Sequence, residues 1–399
     1  MQRGVMTADD MARWSATIEA PVSMDYGDWT VHKTGAWGQG PVLLQALSIL
    51  AHTPIASLDP EGPDFVHLVV EAMKLAYADR EAYYGDPAHT DIPLDALLDP
   101  AHGAARAGLI GERASLEQRP SALAGHEAWV EAAIRRARER CDETGAMGGN
   151  EPTMAHLAST KLTSGADGLD PSPEIAPSEI APSDIAPSEG DTVHLDIVDR
   201  WGNMVSATPS GGWLQSSPCV PGLGFPLNSR AQMFWLEEGL PSSLAPGRRP
   251  RTTLTPSLAS LRGRPTLAWG SPGGDQQDQW ALILFLRHVH GGRDAPGASE
   301  AHGSRDDGGM NLQAAIDAPL FHTSHFQGSF DPRVARPGHL MIEANAGEAT
   351  IEALRARGHR IELAEPWTVG RLTAARRDAD GTLRAAATPR LMQAYAAGR

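Results

Sequence analysis

The chain of 399 residues predicts an α+β protein with layered sheets, and three features of its residue pattern carry that reading. Apolar residues recur at helical spacing in the first part, an alternating strand-like pattern begins at Val193, and a proline-rich acidic tract separates the two. In the first part Phe65, Leu68, Val69, Ala72, Met73 and Ala76 follow the i, i+3, i+4 spacing of one helix face, and residues 42–51 and 129–140 repeat it. This region, 1–163, therefore reads as mostly helical. Residues 164–190 hold three pentads, 174–178, 179–183 and 184–188, each ending in Pro-Ser. Proline at that spacing forbids a helix and the acidic Ser/Pro composition cannot form a core, so the tract reads as a solvated linker.

Beyond the linker, Val193, Leu195 and Ile197 alternate with His194 and Asp196, Arg200-Trp201-Gly202 interrupts, and residues 204–208 resume the run. A three-residue loop with glycine last suits a type I turn followed by a left-handed residue, which makes Asp199 and Asn203 the closing pair of a hairpin. Counting outward sets Thr192 opposite Ser210 at the open end, where cross-strand Cβ atoms lie about 5 Å apart. Further strands are expected at 266–269 and 340–343, a helix at 279–290, and a helix and strand across 349–364. The Gly-rich stretch 291–310 reads as an exposed loop.

Composition narrows the function classes. Asp and Glu number 49 against 34 Lys and Arg, a formal charge of −15, and such a field repels phosphate backbones and anionic lipid. Neither a nucleic acid nor a membrane is the expected partner. Cys141 and Cys219 are too few for a disulfide framework. No apolar run reaches the roughly 18 residues of a membrane span, and the opening MQRGVMTADDMARWS has no apolar core, so the expected location is the cytoplasm.

Five constellations could carry chemistry. Thr192 is a hydroxyl at the start of a strand, ordinarily a structural choice because β-branched residues fit there. A cut between Asp191 and Thr192 would change that, since the hydroxyl would gain its own α-amine, of pKa near 8, as adjacent base. Ser271-Pro272-Gly273-Gly274-Asp275 follows an apolar strand and precedes a helix, where successive glycines let N–H groups converge on an anion. A tight strand-to-helix turn and a phosphate nest compete with that reading. Arg248-Arg249-Pro250-Arg251-Thr252-Thr253 sets cations before hydroxyls, as carboxylate recognition or a solvated loop would. His288 and His290 point about 200° apart on a helix and cannot share an ion, and His322 and His325 have no supporting partner pattern. No metal is expected. Residues 35–40, GAWGQG, lack the G-x-G-x-x-G order and follow no clear strand, which argues against a dinucleotide site; no cofactor is expected.

Thr192-x-His194 with its strand, Asp199-x-x-Gly202-Asn203, then RPRTTLTP and GSPGG, in this order and spacing, resemble the γ-glutamyltranspeptidase family of N-terminal-nucleophile hydrolases. The likeness extends to the first half, through Trp37-Gly-Gln-Gly-Pro, His67-Leu-Val-Val-Glu-Ala-Met-Lys and Tyr84-Gly-Asp-Pro. It implies a four-layer αββα sandwich in which 1–163 and 192–399 form one composite domain. It also implies a precursor that cuts itself between Asp191 and Thr192 into a large and a small subunit. Thr192 would then attack an amide carbonyl of a small, peptide-like substrate, and water or an amine would resolve the acyl-enzyme. By the same resemblance Ser210 stands where a second threonine usually bonds the nucleophile, Gly273 and Gly274 match the oxyanion glycines, and Thr252 and Thr253 match a serine pair for the substrate α-carboxylate.

The departures are informative. Arg230 replaces a Gln or Glu, and Met233 an acidic residue, of the clasp that family transpeptidases close on the glutamyl α-amine. An arginine there favours a carboxylate instead. Gly212 stands where an asparagine is usual. The subgroup therefore resembles the amidases and acylases of the family, such as cephalosporin acylases, whose acyl groups can lack the amine. The family's N-terminal block, with an arginine for the substrate carboxylate, has no counterpart here, so a separate N-terminal partner, or a catalytically silent fragment, is the competing expectation.

Overall fold

A computed structural model describes residues 7–142, 192–211, 219, 222, 224, 227–291, 309–390 and 394–398. The linker, Asp191 and Gly212 lie outside these residues, as do 292–308 of the second soft stretch.

The centre is an antiparallel six-stranded sheet in the order β1 (Val22–Tyr26), β2 (Trp29–Lys33), β5 (Ser257–Leu261), β6 (Arg264–Gly270), β10 (Thr373–Arg377) and β11 (Leu383–Ala387). The hairpin β3 (Leu195–Val198) and β4 (Met204–Ala207) forms a second, two-stranded sheet. The third sheet joins β7 (Phe321–His322), β8 (His339–Glu343) and β9 (Arg360–Ala364). Helices before the linker are α1 (Ala8–Arg13), α2 (Pro41–Leu50), α3 (Pro63–Tyr83), α4 (Leu94–Leu97), α5 (Pro100–Ala107) and α6 (Glu127–Glu139). After it come α7 (Gln277–His290), α8 (Leu312–Asp317) and α9 (Glu348–Ala356).

Besides its helices, the described part of 1–163 contributes β1 and β2, which give the central sheet one edge. In β2, Trp29, Val31 and Lys33 turn inward while Thr30 and His32 face the other side. One inward position is a lysine, so the strand lacks the apolar alternation that would mark it. Lys33 is buried because the Asp278 carboxylate lies 3.0 Å from its ammonium, which also donates to Thr255 O at 2.9 Å and Ser257 Oγ at 2.7 Å. The residues 35–40 therefore do follow a strand and open a helix, contrary to expectation. The sheet beside them is antiparallel, though, not the parallel βαβ of a dinucleotide fold.

One face of the sheet carries α2 and α7, with α3 packed over α2. The Trp269 indole stacks on Phe285 with ring centres 5.3 Å apart and donates to Ala281 O at 2.9 Å, locking β6 to α7. The hairpin lies on the opposite face, over β5, β6 and β10. Helices on one side and a second sheet on the other make the α+β sandwich that the sequence led us to expect. No helix among the described residues is long and apolar enough to cross a membrane.

Candidate active site

The hairpin closes as its sequence requires. Asp199 N–H donates to Asn203 O at 3.1 Å, the Asp199 carboxylate accepts from the N–H groups of Trp201 and Asn203, and Gly202 takes φ 93°. The register pairs Leu195 with Ala207 and Ile197 with Val205, and Val193 N–H donates to Pro209 O at 3.1 Å beyond it. Thr192 thus meets Ser210 at the open end, its hydroxyl 3.0 Å from Ser210 Oγ. Arg230 reaches the same oxygen, donating from Nη2 at 2.8 Å. Its guanidinium is buried against the Phe330 ring, 5.8 Å from the ring centre. The Asn228 side chain, which accepts from Arg230 N–H, and the Ser229–Gly211 backbone bond hold this segment beside the hairpin.

The Ser271–Asp275 turn is held from behind by charge. Gly273 takes φ 124°, where a Cβ would stand 2.4 Å from the Trp280 ring, and Gly274 takes φ 52°. No larger residue fits at 273. Burial by itself would raise the Asp275 carboxyl, but Arg80 and the Ser329 hydroxyl hold it below the usual carboxylate range. Ser329 donates to it through N–H at 2.8 Å and through its hydroxyl, Arg80 bonds it directly, and Arg80 also donates to Gln39 and Gln327. The Gln39 amide in turn donates to Gly274 O at 3.1 Å. With the Gln277 amide oriented to satisfy its neighbours, its nitrogen donates to Thr253 O and Ser271 O, and its oxygen accepts Gly274 N–H, each at 3.2 Å. An oxyanion at Gly274 would therefore compete with Gln277 for that donor.

The RPRTT run is not a solvated loop throughout. Arg249 pairs with Glu19 at 2.7 Å and Arg251 with Glu81 at 3.1 Å, so two of its cations serve the protein's own carboxylates. Burial lowers Arg251 to about 10, the Glu81 charge opposing. Thr252 N–H donates to Trp37 O, and Thr252 Oγ1 accepts Leu254 N–H. Thr253 is fully buried and its hydroxyl has no partner among the described residues. The structure so gathers Thr192, Ser210 and Arg230 into one contact chain, and Thr253, Gly273 and Gly274 into another. Phe330, beside Arg230, adjoins Ser329, which holds Asp275.

Sequence reasoning passed over the residues beneath Thr192. His194 Nδ1 lies 2.7 Å from Thr208 Oγ1, and His194 Nε2 lies 3.0 Å from both oxygens of Asp196. Asp196 also accepts the Thr373 hydroxyl at 2.7 Å. Polar residues at alternate positions of an otherwise apolar strand were the signal available.

Three of the four histidines weighed in the sequence bond other groups of the protein. His288 bonds Met310 O and Arg376, His290 bonds Tyr26, and His325 bonds Glu117 O and Gly338 N–H. Among the described residues one group could offer metal ligands: His67, Glu71 and His359. Lys74 and Arg119 already neutralise Glu71, at 2.6 and 3.1 Å, and His67 bonds His359 at 2.9 Å and Gly111 O at 2.8 Å. A divalent ion would meet a net positive surrounding there, and the pair reads as a hydrogen-bonded brace between α3 and β9. A cavity of about 890 Å³ opens at the turn end of the hairpin, among Trp14, Trp37, His32, Met204 and Arg249. It stands at the far end of the strands from Thr192.

Comparison with known proteins places these residues in context. The family model described as Gamma-glutamyltranspeptidase matches residues 1–398. Acylase ACY 1 proenzyme of Pseudomonas sp. (strain SE83) is 28% identical over 386 residues, covering 96% of this chain and 53% of that protein. Glutathione hydrolase proenzyme of Bacillus subtilis (strain 168) is 27% identical over 323 residues, 80% of this chain and 45% of its own length. A solved structure of LmbA2991HD is 47% identical, with a TM-score of 0.75 over 100% of this chain and 59% of that one. The chain spans about half the length of the curated relatives it matches.

Proposed function

Because the chain belongs to the γ-glutamyltranspeptidase family, we propose that it is an amide hydrolase or acyltransferase whose nucleophile is the Thr192 hydroxyl, exposed by self-cleavage between Asp191 and Thr192. The observation that carries this reading is the contact of Thr192 Oγ1 with Ser210 Oγ, at 3.0 Å, in the register the hairpin imposes. Once cut, Thr192 holds a hydroxyl and an amine on adjacent carbons. The amine takes the hydroxyl proton as Oγ1 attacks the amide carbonyl, then gives it to the departing amine, leaving the acyl group as an ester on Thr192. Water or an acceptor amine, losing its proton to the same group, releases the acyl group. Gly273 and Gly274 are assigned to the oxyanion, and Thr252 and Thr253 to the acyl group's carboxylate.

Arg230 favours an acyl group that presents a carboxylate beside Thr192 and lacks the α-amine of a glutamyl donor. The acylase among the relatives supports that choice, and the glutathione hydrolase supports the γ-glutamyl alternative. Turnover of glutaryl-p-nitroanilide and γ-glutamyl-p-nitroanilide compares them directly. A strong preference for the γ-glutamyl compound overturns the carboxylate assignment. Arg230→Glu is expected to lower kcat/KM for the glutaryl compound at least tenfold, the order of magnitude of losing a charge-assisted contact. Denaturing gels test the cut: the wild-type chain should yield two pieces, and Thr192→Ala should stay whole.

A second reading concerns partners. Val193, Leu195, Ile197 and Val205 form an apolar outer face on the hairpin and are 40–55% exposed. Such a face supports a two-subunit enzyme in which a further polypeptide covers β3 and β4. If the purified chain neither cuts itself nor turns over either amide, and does so when an N-terminal partner is supplied, that reading replaces the self-sufficient enzyme.

A further inference from the structure

We propose that His194 is a positioning residue for this reaction: with Asp196 and Gly270 it braces the nucleophile strand against the start of the Ser271–Asp275 turn, and so sets the reach from Thr192 to the glycines. The inference rests on the assignment of Thr192 as nucleophile and adds a residue to which no role has been given.

Four observations converge on one spot. His194 follows Thr192 by two residues, about 7 Å along an extended strand, so its ring and the Thr192 side chain project from the same side of the hairpin. That ring is buried, with a side-chain exposure of 0%. Gly270, the residue immediately before the turn, faces it: a Cβ on Gly270 would stand 2.4 Å from His194 Cε1 and 2.6 Å from Nε2. Gly270 pairs across the central sheet with Thr373, and Thr373 donates to the carboxylate that holds His194. The hairpin, β6 and β10 are thereby tied together at the point where β6 gives way to the turn.

The chemistry of the brace sets its direction. A carboxylate only accepts, so the bond to Asp196 fixes a proton on His194 Nε2, and the Thr208 hydroxyl engages Nδ1 from the second strand of the hairpin. The ring can neither flip nor slide without breaking one of these bonds. Apolar side chains would pack two sheets together at less cost than a buried chain of polar groups. What an apolar contact lacks is a defined distance, and a misplacement of about 1 Å at a reacting centre costs on the order of 100-fold in rate.

The test uses the full chain and five variants: His194→Ala, His194→Gln, Gly270→Ala, the double variant His194→Ala with Gly270→Ala, and Asp196→Asn. The expected result is a fall in kcat of roughly 10- to 100-fold for His194→Ala, with KM within about twofold of wild type. His194→Gln, which keeps a donor near the Nε2 position, should recover part of the loss. Gly270→Ala should slow turnover although the imidazole is retained, because its new methyl displaces the ring. In the double variant the methyl finds the ring gone, so Gly270→Ala should add no further loss. The imidazole N–H resonance of His194, sheltered by Asp196, should be present in wild type and absent from Asp196→Asn.

The proposal is overturned if His194→Ala turns over within twofold of a working wild type, or if the losses at 194 and 270 simply multiply. An unsheltered imidazole N–H in wild type overturns it as well. A wild-type chain that neither cuts itself nor turns over any amide defeats instead the assignment of Thr192 on which it rests.

Discussion

The two faces of the β3–β4 hairpin are dressed in the reverse of the usual order. Against the central sheet it turns His194, Asp196, Ser206 and Thr208; toward the outside it turns Val193, Leu195, Ile197 and Val205. A hairpin lying on a sheet ordinarily buries its apolar side chains and wets its polar ones. Here the inner face is polar and nearly every group on it finds a partner: His194 between Thr208 and Asp196, Asp196 with Thr373, and Ser206 with Trp269 O and Ser257 N–H. The difference teaches that the inner face is specified by direction and distance. The outer face is apolar and 40–55% exposed, and makes no comparable demand on direction.

Substitutions can break or sharpen that contrast. The largest effect is expected on the inner face, where Asp196→Ala strips acceptors from His194 and Thr373 at once and should destabilise the chain by roughly 3 kcal/mol in urea titration. A loss below about 1 kcal/mol would mean the inner face is no more specified than a surface. Thr208→Val keeps the shape but leaves one histidine nitrogen without its hydroxyl, and about 1–2 kcal/mol should go in the same titration. On the outer face Ile197→Thr and Val205→Thr should change stability by no more than about 0.5 kcal/mol, while lowering the binding of an apolar fluorescent dye. Were the outer substitutions as costly as the inner ones, the face would already be covered within this chain.

The hairpin was legible in the sequence because everything that fixes it is local. Asp199, Gly202 and Asn203 lie within five residues, and together they determine that Thr192 meets Ser210. The central sheet was legible only in pieces. The strands 266–269 and 340–343 were visible as apolar runs, whereas β2 was hidden by Lys33, whose burial depends on Asp278, far along the chain. The same holds for the support behind the turn. Arg80 lies on a helix whose apolar face alone was read, and its partner Asp275 is 195 residues away. A buried charge is explained only by its partner, and spacing along the chain does not name partners at that distance. The His194 brace falls between these cases: its members share one hairpin, but its meaning comes from Gly270 and Thr373 on other strands.

The Trp280 ring, packed where a side chain at position 273 would begin, also limits how this protein can change. The surroundings of Arg230 and Phe330 are more permissive, because those side chains meet through a ring face that other residues could offer. Position 273 is closed twice over: its φ of 124° suits glycine, and Trp280, part of the core that holds α7 in place, fills the space where a Cβ would stand. The two regions therefore differ in kind, one open to substitution and one closed, and a library that randomises both equally would lose the members that change position 273.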